Sequence, residues 1–327
     1  MVRIDLPKAL PSSIVITGAN GQLGQALLAR LARLARLANE GHRSIRALVR
    51  SERARDTLAS LDLPHPPEVQ VVDYTSPSEL EAALAGSEAA VHLVGIIKEA
   101  PGTRYFEAHE QTCHALALAA NRTEVSRIVY LSILGSTPRS PNACLASKGR
   151  AENLLLDDRV AATVLRVPMV LGGDDPASAS LRRQAKSRRV RLVAGGRTLQ
   201  QPIDARDVVS AILSACASPD PGDLSLDAGG PECLSHRDLV LRAARLWDNE
   251  PVISSLPIGL ARAGVDLLGK ILSNPPVSGA MFDILQHDDR VDPALLRDAL
   301  GIELTPLDRT LSDHVGPRRE TEGERSA

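Results

Sequence analysis

The chain has 327 residues, of which 43% are hydrophobic and 24% charged, and these are the proportions of a folded globular protein. This length accommodates one large α/β domain with a smaller lobe. The net charge of −2 gives no general attraction to nucleic acid or to anionic membranes, and six aromatic side chains are too few for binding that depends on base stacking.

Cysteine usage and the lack of long apolar runs indicate the compartment. Cys113, Cys144, Cys216 and Cys233 show neither the pattern of a disulfide framework nor the spacing of metal ligands, which favours free thiols in a reducing environment. No window is long and apolar enough to span a membrane, and residues 1–11 lack the apolar core of a secretion signal. The sequence therefore predicts a cytoplasmic protein without a membrane span, a metal site or a nucleic-acid partner.

The first predicted element is a strand at 13–17 that runs into a glycine-rich turn. The segment Thr17-Gly18-Ala19-Asn20-Gly21-Gln22-Leu23-Gly24 precedes a stretch rich in Ala and Leu, so strand, turn and helix follow one another directly. This arrangement presents backbone N–H groups and the positive end of a helix to a pyrophosphate. Gly18 allows the turn, Gly21 lets phosphates approach the backbone, and Gly24 allows close packing of helix on sheet.

Strands and helices then alternate through the first two thirds of the chain. Predicted strands lie at 13–17, 44–49, 68–72, 89–94, 127–132 and 161–166, and predicted helices at 22–39, 52–61, 78–85, 104–121 and 143–157. Such alternation is typical of right-handed βαβ units, which build a parallel sheet covered on both faces. We predict the α/β class, with a doubly wound parallel Rossmann sheet in the order 3-2-1-4-5-6.

The last third of the chain is less regular and mostly helical. Its predicted elements are a basic helix at 181–189, a strand at 222–228, and helices near 235–248, 257–273, 278–288 and 293–300. We expect an N-terminal extension at 1–12, the Rossmann core at 13–170, the completion of that core with a small C-terminal substrate lobe at 171–315, and a disordered tail at 316–327.

Two helices have distinctive patterns. From Ala29 to Ala38 the first helix repeats with a period of three, which predicts leucines that drift around the helix instead of forming one stripe. The helix at 257–273 is apolar and amphipathic, and we expect it to pack on the core, with peripheral docking on a membrane surface as the alternative.

Residues after the second and third strands predict the cofactor preference. The second strand ends at Arg50, where an NAD-selective site carries a carboxylate for the ribose 2′-OH. An arginine there offers a fork for a 2′-phosphate, so NADP(H) is favoured, with NAD(H) as the alternative because Glu52 is near in sequence. Asp73 is placed either to accept a hydrogen bond from the adenine amino group or to cap the next helix.

Four further segments accompany the glycine turn in a fixed order. They are Val91-His-Leu-Val-Gly-Ile-Ile97, Ile128-Val-Tyr-Leu-Ser-Ile-Leu-Gly135, Leu165-Arg-Val-Pro168 and Gln201-Pro-Ile-Asp-Ala-Arg-Asp-Val208. With the Gly-x-x-Gly-x-x-Gly spacing, they resemble the extended and atypical short-chain dehydrogenase/reductase superfamily. Within it, the pattern is most similar to the nucleotide-binding accessory subunit of respiratory complex I and to NmrA-like and isoflavone-reductase-like relatives.

The resemblance covers most of residues 13–310 and implies a Rossmann fold that binds NADP(H). The implied cofactor-binding residues are Thr17, Gly18, Asn20, Gly21, Gln22, Leu23, Gly24, Arg50, Asp73, Val94, Gly95, Lys148 and Pro168.

The resemblance also implies which residues perform the chemistry. In this superfamily a serine after the fifth strand orients the substrate carbonyl, and Ser132 matches it. A Tyr-x-x-x-Lys pair follows on the next helix, where the tyrosine transfers the proton and the lysine holds the ribose. Lys148 matches the lysine, but Cys144 occupies the tyrosine position, and its shorter side chain stops well short of the substrate oxygen. Cys144 and Lys148 still share one helix face.

Three interpretations of Cys144 stay open. The protein has lost catalysis and keeps the cofactor as a structural element, or Lys148 performs the acid/base work as in isoflavone-reductase-like relatives. In the third, an acid comes from the loop after the fourth strand, where Lys98, Tyr105 and His109 lie. The leading prediction is an NAD(P)H-dependent reductase that transfers hydride to an apolar carbonyl, enone or quinone- or quinolone-like small molecule. The alternative is a non-catalytic NADPH-binding assembly or sensor protein.

Overall fold

The computed structural model describes residues 10–38, 44–219 and 222–317. The predicted N-terminal extension and C-terminal tail fall mostly outside these ranges, as does residue 39 of the first predicted helix. The strands are β1 (Ser13–Thr17), β2 (Ser44–Val49), β3 (Glu68–Val71), β4 (Ala89–His92), β5 (Arg127–Ile133), β6 (Ala161–Val167), β7 (Val170–Leu171), β8 (Arg189–Val193), β9 (Leu199–Gln200), β10 (Ile203–Asp204), β11 (Leu224–Asp227), β12 (Leu234–Ser235) and β13 (Val252–Leu256).

The helices cover the sheet and build the C-terminal lobe. They are α1 (Gln22–Ala38), α2 (Glu52–Ala59), α3 (Pro77–Leu84), α4 (Thr112–Ala120), α5 (Ala143–Leu156), α6 (Pro176–Lys186), α7 (Ala205–Cys216), α8 (His236–Arg245), α9 (Ile258–Ile271), α10 (Gly279–Leu285), α11 (Pro293–Leu300) and α12 (Leu307–His314). A π-helical turn (Phe106–Gln111) precedes α4, and a 3₁₀ turn (Ala194–Gly196) follows β8.

Seven parallel strands form the central sheet, in the order β3-β2-β1-β4-β5-β6-β11. The predicted α/β class and the order 3-2-1-4-5-6 are confirmed, and the strand predicted at 222–228 is present as β11, beside β6. The chain reverses its direction of winding between β1 and β4. In such sheets the crevice at the carboxyl ends of the two strands is where ligands bind.

Two apolar clusters hold the sheet between its helix layers. Successive strand residues point to opposite faces, so Ile14 and Ile16 of β1 pack with α1 and α7, whereas Val15 packs with α3, α4 and α5. A third cluster joins α6, α8, α12 and β8 in the C-terminal lobe. These clusters are almost entirely aliphatic, as the scarcity of aromatic residues requires.

The prediction of a single α-helix at 104–121 is wrong. Its first part is the π-helical turn, and only Thr112–Ala120 is α-helical. The wider turn accompanies burial of His109, whose ring contacts the Ile96 backbone. Turns of this kind are frequent at functional sites, and no periodicity in the sequence reveals them.

The bounds predicted for the basic helix, 181–189, are also wrong. The helix α6 begins at Pro176, where the Asp175 side chain accepts a hydrogen bond from the Ser178 N–H, and it ends at Lys186. Residues Arg189–Val193 form β8, in which exposed arginines alternate with buried Val190 and Leu192. This period of two is that of a strand.

Two expectations about individual helices are corrected. Leu28, Leu31 and Leu34 of α1 are all buried. Each step of three residues turns the side chain by about 60° around the helix axis, so three successive leucines stay within one broad apolar face. The expected core packing of the helix at 257–273 is not found, since α9 has no buried residue. The other predicted elements are present, with differences of a few residues at their ends.

The segment Gln201–Val208 fastens the C-terminal lobe to the sheet. The buried Gln201 amide donates to the carbonyls of Gly230 and Val291 at 2.8 and 3.0 Å and accepts from the Val291 N–H at 2.8 Å. Asp207 accepts from the N–H and hydroxyl of Thr305, both at 2.7 Å. These bonds tie three distant stretches of chain to the start of α7.

Candidate active site

The glycine turn is closely packed against β4 and the start of α1. Gly18 has a φ of +69°, and a Cβ on it would lie 3.2 Å from the Leu93 carbonyl carbon. A Cβ on Gly24 would lie 2.4 Å from the Ala19 oxygen, so no larger residue fits there. The first N–H groups of α1 have no partner within the helix, and its first turn holds no acidic residue. The turn therefore fits an anionic pyrophosphate.

A cavity of about 440 Å³ opens in front of this turn, at the point where the winding of the sheet reverses. Six of the predicted cofactor residues line it, namely Gly18, Gly21, Gln22, Leu23, Gly24 and Gly95. Leu131, Val170 and Asp175 close its far side. The cavity thus joins the glycine turn to the carboxyl ends of β4 and β5.

A second cavity, of about 700 Å³, lies at the carboxyl ends of β2 and β3. It brings together three predicted residues from separate segments, Asn20, Arg50 and Asp73. Arg50 is the single cation among the described residues that line it. Glu52, which made the cofactor preference ambiguous, forms an ion pair with Arg55.

Asp73 is held in a local turn. Its Oδ1 atom accepts from the N–H and hydroxyl of Thr75 at 2.9 and 2.8 Å, and these bonds lower the pKa of the carboxyl. The alternative role as a helix cap is wrong, because the side chain of Ser76 caps α3. Asp73 therefore presents an ionised carboxylate at the wall of the second cavity.

Tyr74 is a site residue that no sequence motif indicates. Its buried hydroxyl donates to the Leu48 carbonyl of β2 and accepts from the Gly18 N–H at 2.9 Å. Burial raises the pKa of this phenol to about 12. The side chain fixes the glycine turn against β2 through a contact across 56 residues, which local sequence patterns do not reveal.

Lys148 lies buried at the carboxyl ends of β4 and β5. Its Nζ donates to the carbonyls of Leu131 and Val94 at 2.9 and 3.3 Å and lies 4.4 Å from the centre of the Tyr130 ring. Burial lowers the pKa of Lys148 to about 8. A Cβ on Gly95 would lie 2.7 Å from Nζ, so the lysine and the glycine that lines the first cavity are in contact range.

Cys144 shares the face of α5 that carries Lys148. Its buried thiol donates to the Ile96 carbonyl at 3.4 Å. Burial raises the pKa of the thiol to about 11, despite the opposing effect of Lys148. The thiol is therefore protonated at neutral pH and occupied by a backbone contact.

Ser132 is bonded to the buried end of an ionic cluster. Its hydroxyl donates to Glu152 at 2.5 Å and lies 3.4 Å from the Ser136 oxygen. Glu152 in turn forms an ion pair with Arg166 at 2.7 Å, and Arg166 reaches Asp227 at 3.3 Å. To orient a substrate, the Ser132 hydroxyl must therefore give up its hydrogen bond to Glu152 and donate to the substrate instead.

The loop after β4 holds two buried candidates for an acid. The Tyr105 hydroxyl donates to the Ile97 carbonyl at 3.1 Å, and burial raises its pKa to about 12. The Nε2 atom of His109 lies 3.1 Å from both the N and the O of Ile96, and burial lowers the pKa of His109 to about 3. Both groups are neutral at physiological pH.

Lys98, the third candidate in this loop, is bonded to the C-terminal lobe. Its Nζ donates to the Asn274 side chain at 2.6 Å and to the Pro275 carbonyl at 2.7 Å. These contacts link the loop after β4 to the segment between α9 and α10.

The two remaining predicted residues lie beneath or beside the crevice. Thr17 is buried, and its hydroxyl lies 2.7 Å from Nδ1 of His92, whose Nε2 atom lies 3.3 Å from the Thr112 hydroxyl. Burial lowers the pKa of His92 to about 3, so this polar chain through the sheet is uncharged. Pro168 is half-buried directly after β6.

A third cavity, of about 640 Å³, adjoins the first through Ile97, which lines both. Its walls come from α6, β8, α9 and α10 and are mostly aliphatic, with Met281 and Phe282 at one side. Arg191 is the one lining residue with a permanent charge in the described part of the chain. The cavity has the size and apolarity of a small-molecule site.

Within residues 10–38, 44–219 and 222–317, no three His, Cys, Asp or Glu side chains converge as metal ligands would. In the same ranges, no helix combines the length and apolarity needed to cross a bilayer.

Comparison with known families identifies the class of protein. A family model described as NAD(P)H-binding matches residues 18–219. The chain belongs to this NAD(P)H-binding family, as the resemblance seen in the sequence indicates.

Individual relatives are more distant. Ceramide reductase of Caulobacter vibrioides is 26% identical over 269 residues, 81% of each chain. The mitochondrial NADH dehydrogenase [ubiquinone] 1 alpha subcomplex subunit 9 of Arabidopsis thaliana is 26% identical over 199 residues. That match covers 58% of this chain and 48% of the plant protein, about half its length. A nucleoside-diphosphate-sugar epimerase from Staphylococcus aureus shares the fold, with a TM-score of 0.69 and 18% identity over 92% of this chain and all of that one.

Proposed function

We propose that this protein is an NAD(P)H-dependent reductase of an apolar carbonyl, enone or quinone-like compound. The observation that carries the proposal is the continuity of two cavities, since Ile97 lines both the crevice at the glycine turn and the aliphatic cavity of the C-terminal lobe. A compound in the aliphatic cavity thereby meets the end of the crevice at Gly95, behind which the buried Lys148 lies. The similarity to a ceramide reductase favours a long-chain substrate.

The residues around the crevice fit the parts of a dinucleotide. The glycine turn and the start of α1 would hold the pyrophosphate, Asp73 the adenine amino group, and Arg50 a ribose 2′-phosphate. Lys148 would hold the second ribose. When bound, the nicotinamide supplies hydride.

Lys148 is the residue best placed to handle the proton. Its ammonium group lies beside Gly95, at the wall of the crevice, and two carbonyls orient it. Below a pH of about 8 the group is charged, so it stabilises negative charge that develops on a substrate oxygen and donates to it, directly or through water. Cys144 is buried against the Ile96 carbonyl, and Ser132 holds Glu152.

Arg50→Ala should remove a preference for NADPH over NADH. Loss of the charged hydrogen bonds to the 2′-phosphate is expected to cost about 1.5–3 kcal/mol of NADPH binding. NADH affinity should be unchanged. Titration of both cofactors into the two proteins measures this, with Arg53→Ala as the control because Arg53 is an exposed arginine one residue into α2. Equal affinities for both cofactors in the unaltered protein would contradict the assignment.

Cys144→Ala should retain most of the reductase activity. The thiol has a pKa of about 11 and is bonded to a backbone carbonyl, so its removal takes away no proton donor. A loss of about 10²- to 10⁴-fold in kcat would instead identify it as the acid, since that is the usual contribution of such a group. Cys216→Ala, which alters another buried thiol, controls for the effect of a small cavity.

The function itself is tested by NADPH oxidation with a panel of long-chain ketones, enones and quinones. Product formation identified by mass spectrometry would support the reductase. Tight NADPH binding without turnover of any of these classes would favour the non-catalytic alternative, for which the similarity to the complex I subunit and the cysteine at position 144 are the specific observations.

A further inference from the structure

Helix α9 presents a stripe of large apolar side chains to the outside of the molecule. Leu260, Leu267 and Ile271 are 66%, 58% and 68% exposed. At 3.6 residues per turn they lie within about 40° of one another around the helix axis. A helix in a globular protein normally buries such a stripe against the core. Here the stripe has no covering element within the described part of the chain.

The opposite face of α9 is polar and already has its partners. Arg262 forms ion pairs with Asp266 of the same helix and Asp283 of α10. Lys270 lies between this face and the stripe. The helix is thus amphipathic, with a polar face bonded to α10 and an apolar side that lines the cavity in part and leaves the stripe open.

The stripe is continuous with the aliphatic cavity. Leu260 belongs to the stripe and also lines the cavity. Leu268, which is beside the stripe and 41% exposed, lines the cavity too. Arg191 of β8 lines the same cavity, and β8 pairs with β13, which leads through Pro257 into α9. Strand β8 and helix α9 therefore border one opening.

Positive charge is concentrated in the segment that contains β8. Between residues 176 and 203 the sequence has no Asp or Glu and seven cations, which are Arg182, Arg183, Lys186, Arg188, Arg189, Arg191 and Arg197. None of the seven forms an ion pair with any described residue. The whole-chain charge of −2 conceals this local excess.

We propose that the apolar stripe of α9 and the cations of β8 dock together on an anionic bilayer surface, with the mouth of the aliphatic cavity against the lipid. Exposed leucine and isoleucine enter the boundary of the acyl chains, and arginines beside them meet the phosphate groups. A second copy of the chain is a poorer occupant, because a two-fold interface on this patch would bury both sets of arginines, and the segment 176–203 supplies no carboxylate to pair with them. The proposal goes beyond the reductase function and is independent of it.

Co-sedimentation of the full chain with vesicles tests the docking. Vesicles of phosphatidylcholine mixed with phosphatidylglycerol should bind the protein, and vesicles of phosphatidylcholine alone should bind it far less. The double variant Leu267→Ser/Ile271→Ser removes apolar stripe residues that do not line the cavity. The double variant Arg188→Glu/Arg189→Glu reverses two exposed charges at the start of β8 that do not line the cavity, and each pair is expected to weaken binding about tenfold or more.

Matched variants elsewhere on the surface are the controls. Leu295→Ser changes a leucine of α11 that is 57% exposed, and Arg33→Glu/Arg36→Glu reverses two exposed charges on α1. Both should bind vesicles as the unaltered protein does, and all variants should bind NADPH equally. Failure to bind anionic vesicles, or binding that survives both α9 and β8 variants, would overturn the proposal. So would a dimer in solution that Leu267→Ser/Ile271→Ser dissociates.

Discussion

Replacing Lys148 with alanine is expected to abolish NADPH-dependent turnover and to weaken cofactor binding. The ammonium group is fixed by the Val94 and Leu131 carbonyls beside the crevice, so no other described cation can take its place there. Loss of an acid of this kind lowers kcat by about 10²- to 10⁴-fold. Loss of its charged hydrogen bond to the ribose costs about 1.5–3 kcal/mol of binding. Steady-state kinetics and cofactor titration measure the two effects.

Lys148→Met separates charge from packing, because methionine fills much of the space of the lysine stem without the ammonium group. Both variants should lose turnover to the same extent. In the unaltered protein, kcat/KM for NADPH should fall as the pH is raised through about 8, where Lys148 loses its proton. Full activity in Lys148→Met would show that the lysine has no part in the proton transfer.

The same group makes stability depend on pH. Its pKa is lowered from 10.5 to about 8 on folding, so between these values the unfolded chain binds more protons than the folded one. The free energy of unfolding should therefore rise as the pH increases from about 8 to 10.5. Denaturant unfolding of Lys148→Met, which lacks this proton, should show a smaller rise.

Gly149→Ala is expected to cause a large loss of stability, although it adds a single methyl group. A Cβ at this position of α5 would lie 2.2 Å from the Thr137 carbonyl carbon and 2.5 Å from the Pro138 nitrogen, and backbone atoms cannot move aside as a flexible side chain can. The cost should be about 3 kcal/mol or more, at the upper end of overpacking effects. Displacement of α5 also moves Lys148, so NADPH affinity should fall as well.

Gly269→Ala is the matched control for this change. Gly269 is also a helical glycine, but a Cβ on it would meet no atom within 4 Å. Because alanine is the better helix former, this variant should gain about 1 kcal/mol of stability. Thermal unfolding of the two variants, compared with the unaltered protein, measures both effects. A Gly149→Ala protein as stable as Gly269→Ala would mean that α5 does not cross the Thr137 segment so closely.

Local sequence patterns predict the sheet and the glycine turn, because strand ends and glycine spacing are set by neighbouring residues. They did not predict contacts between distant segments. The hydroxyl of Tyr74 on the Gly18 N–H and the bond of Ser132 to Glu152 depend on tertiary packing alone.

The C-terminal lobe was predicted less well for a related reason. The basic helix predicted at 181–189 reaches the first residue of β8, and the sequence predicts no strand there, because the arginines of β8 continue a basic run that begins in α6. The expected core packing of the helix at 257–273 followed from its apolarity, but its apolar stripe is exposed. Amphipathicity shows that a helix has a face to cover and does not show what covers it.

The place of β11 in the sheet has a consequence for synthesis on the ribosome. Strand β6, whose residues 162–165 are all buried, pairs on its outer side only with β11, which begins 57 residues after β6 ends. Until Leu224–Asp227 leave the ribosome, β6 is an open parallel edge, the kind of surface that pairs with other nascent chains. Completion of the nucleotide-binding sheet therefore waits until β11 has been synthesised, and until then the outer edge of β6 is open to such pairing.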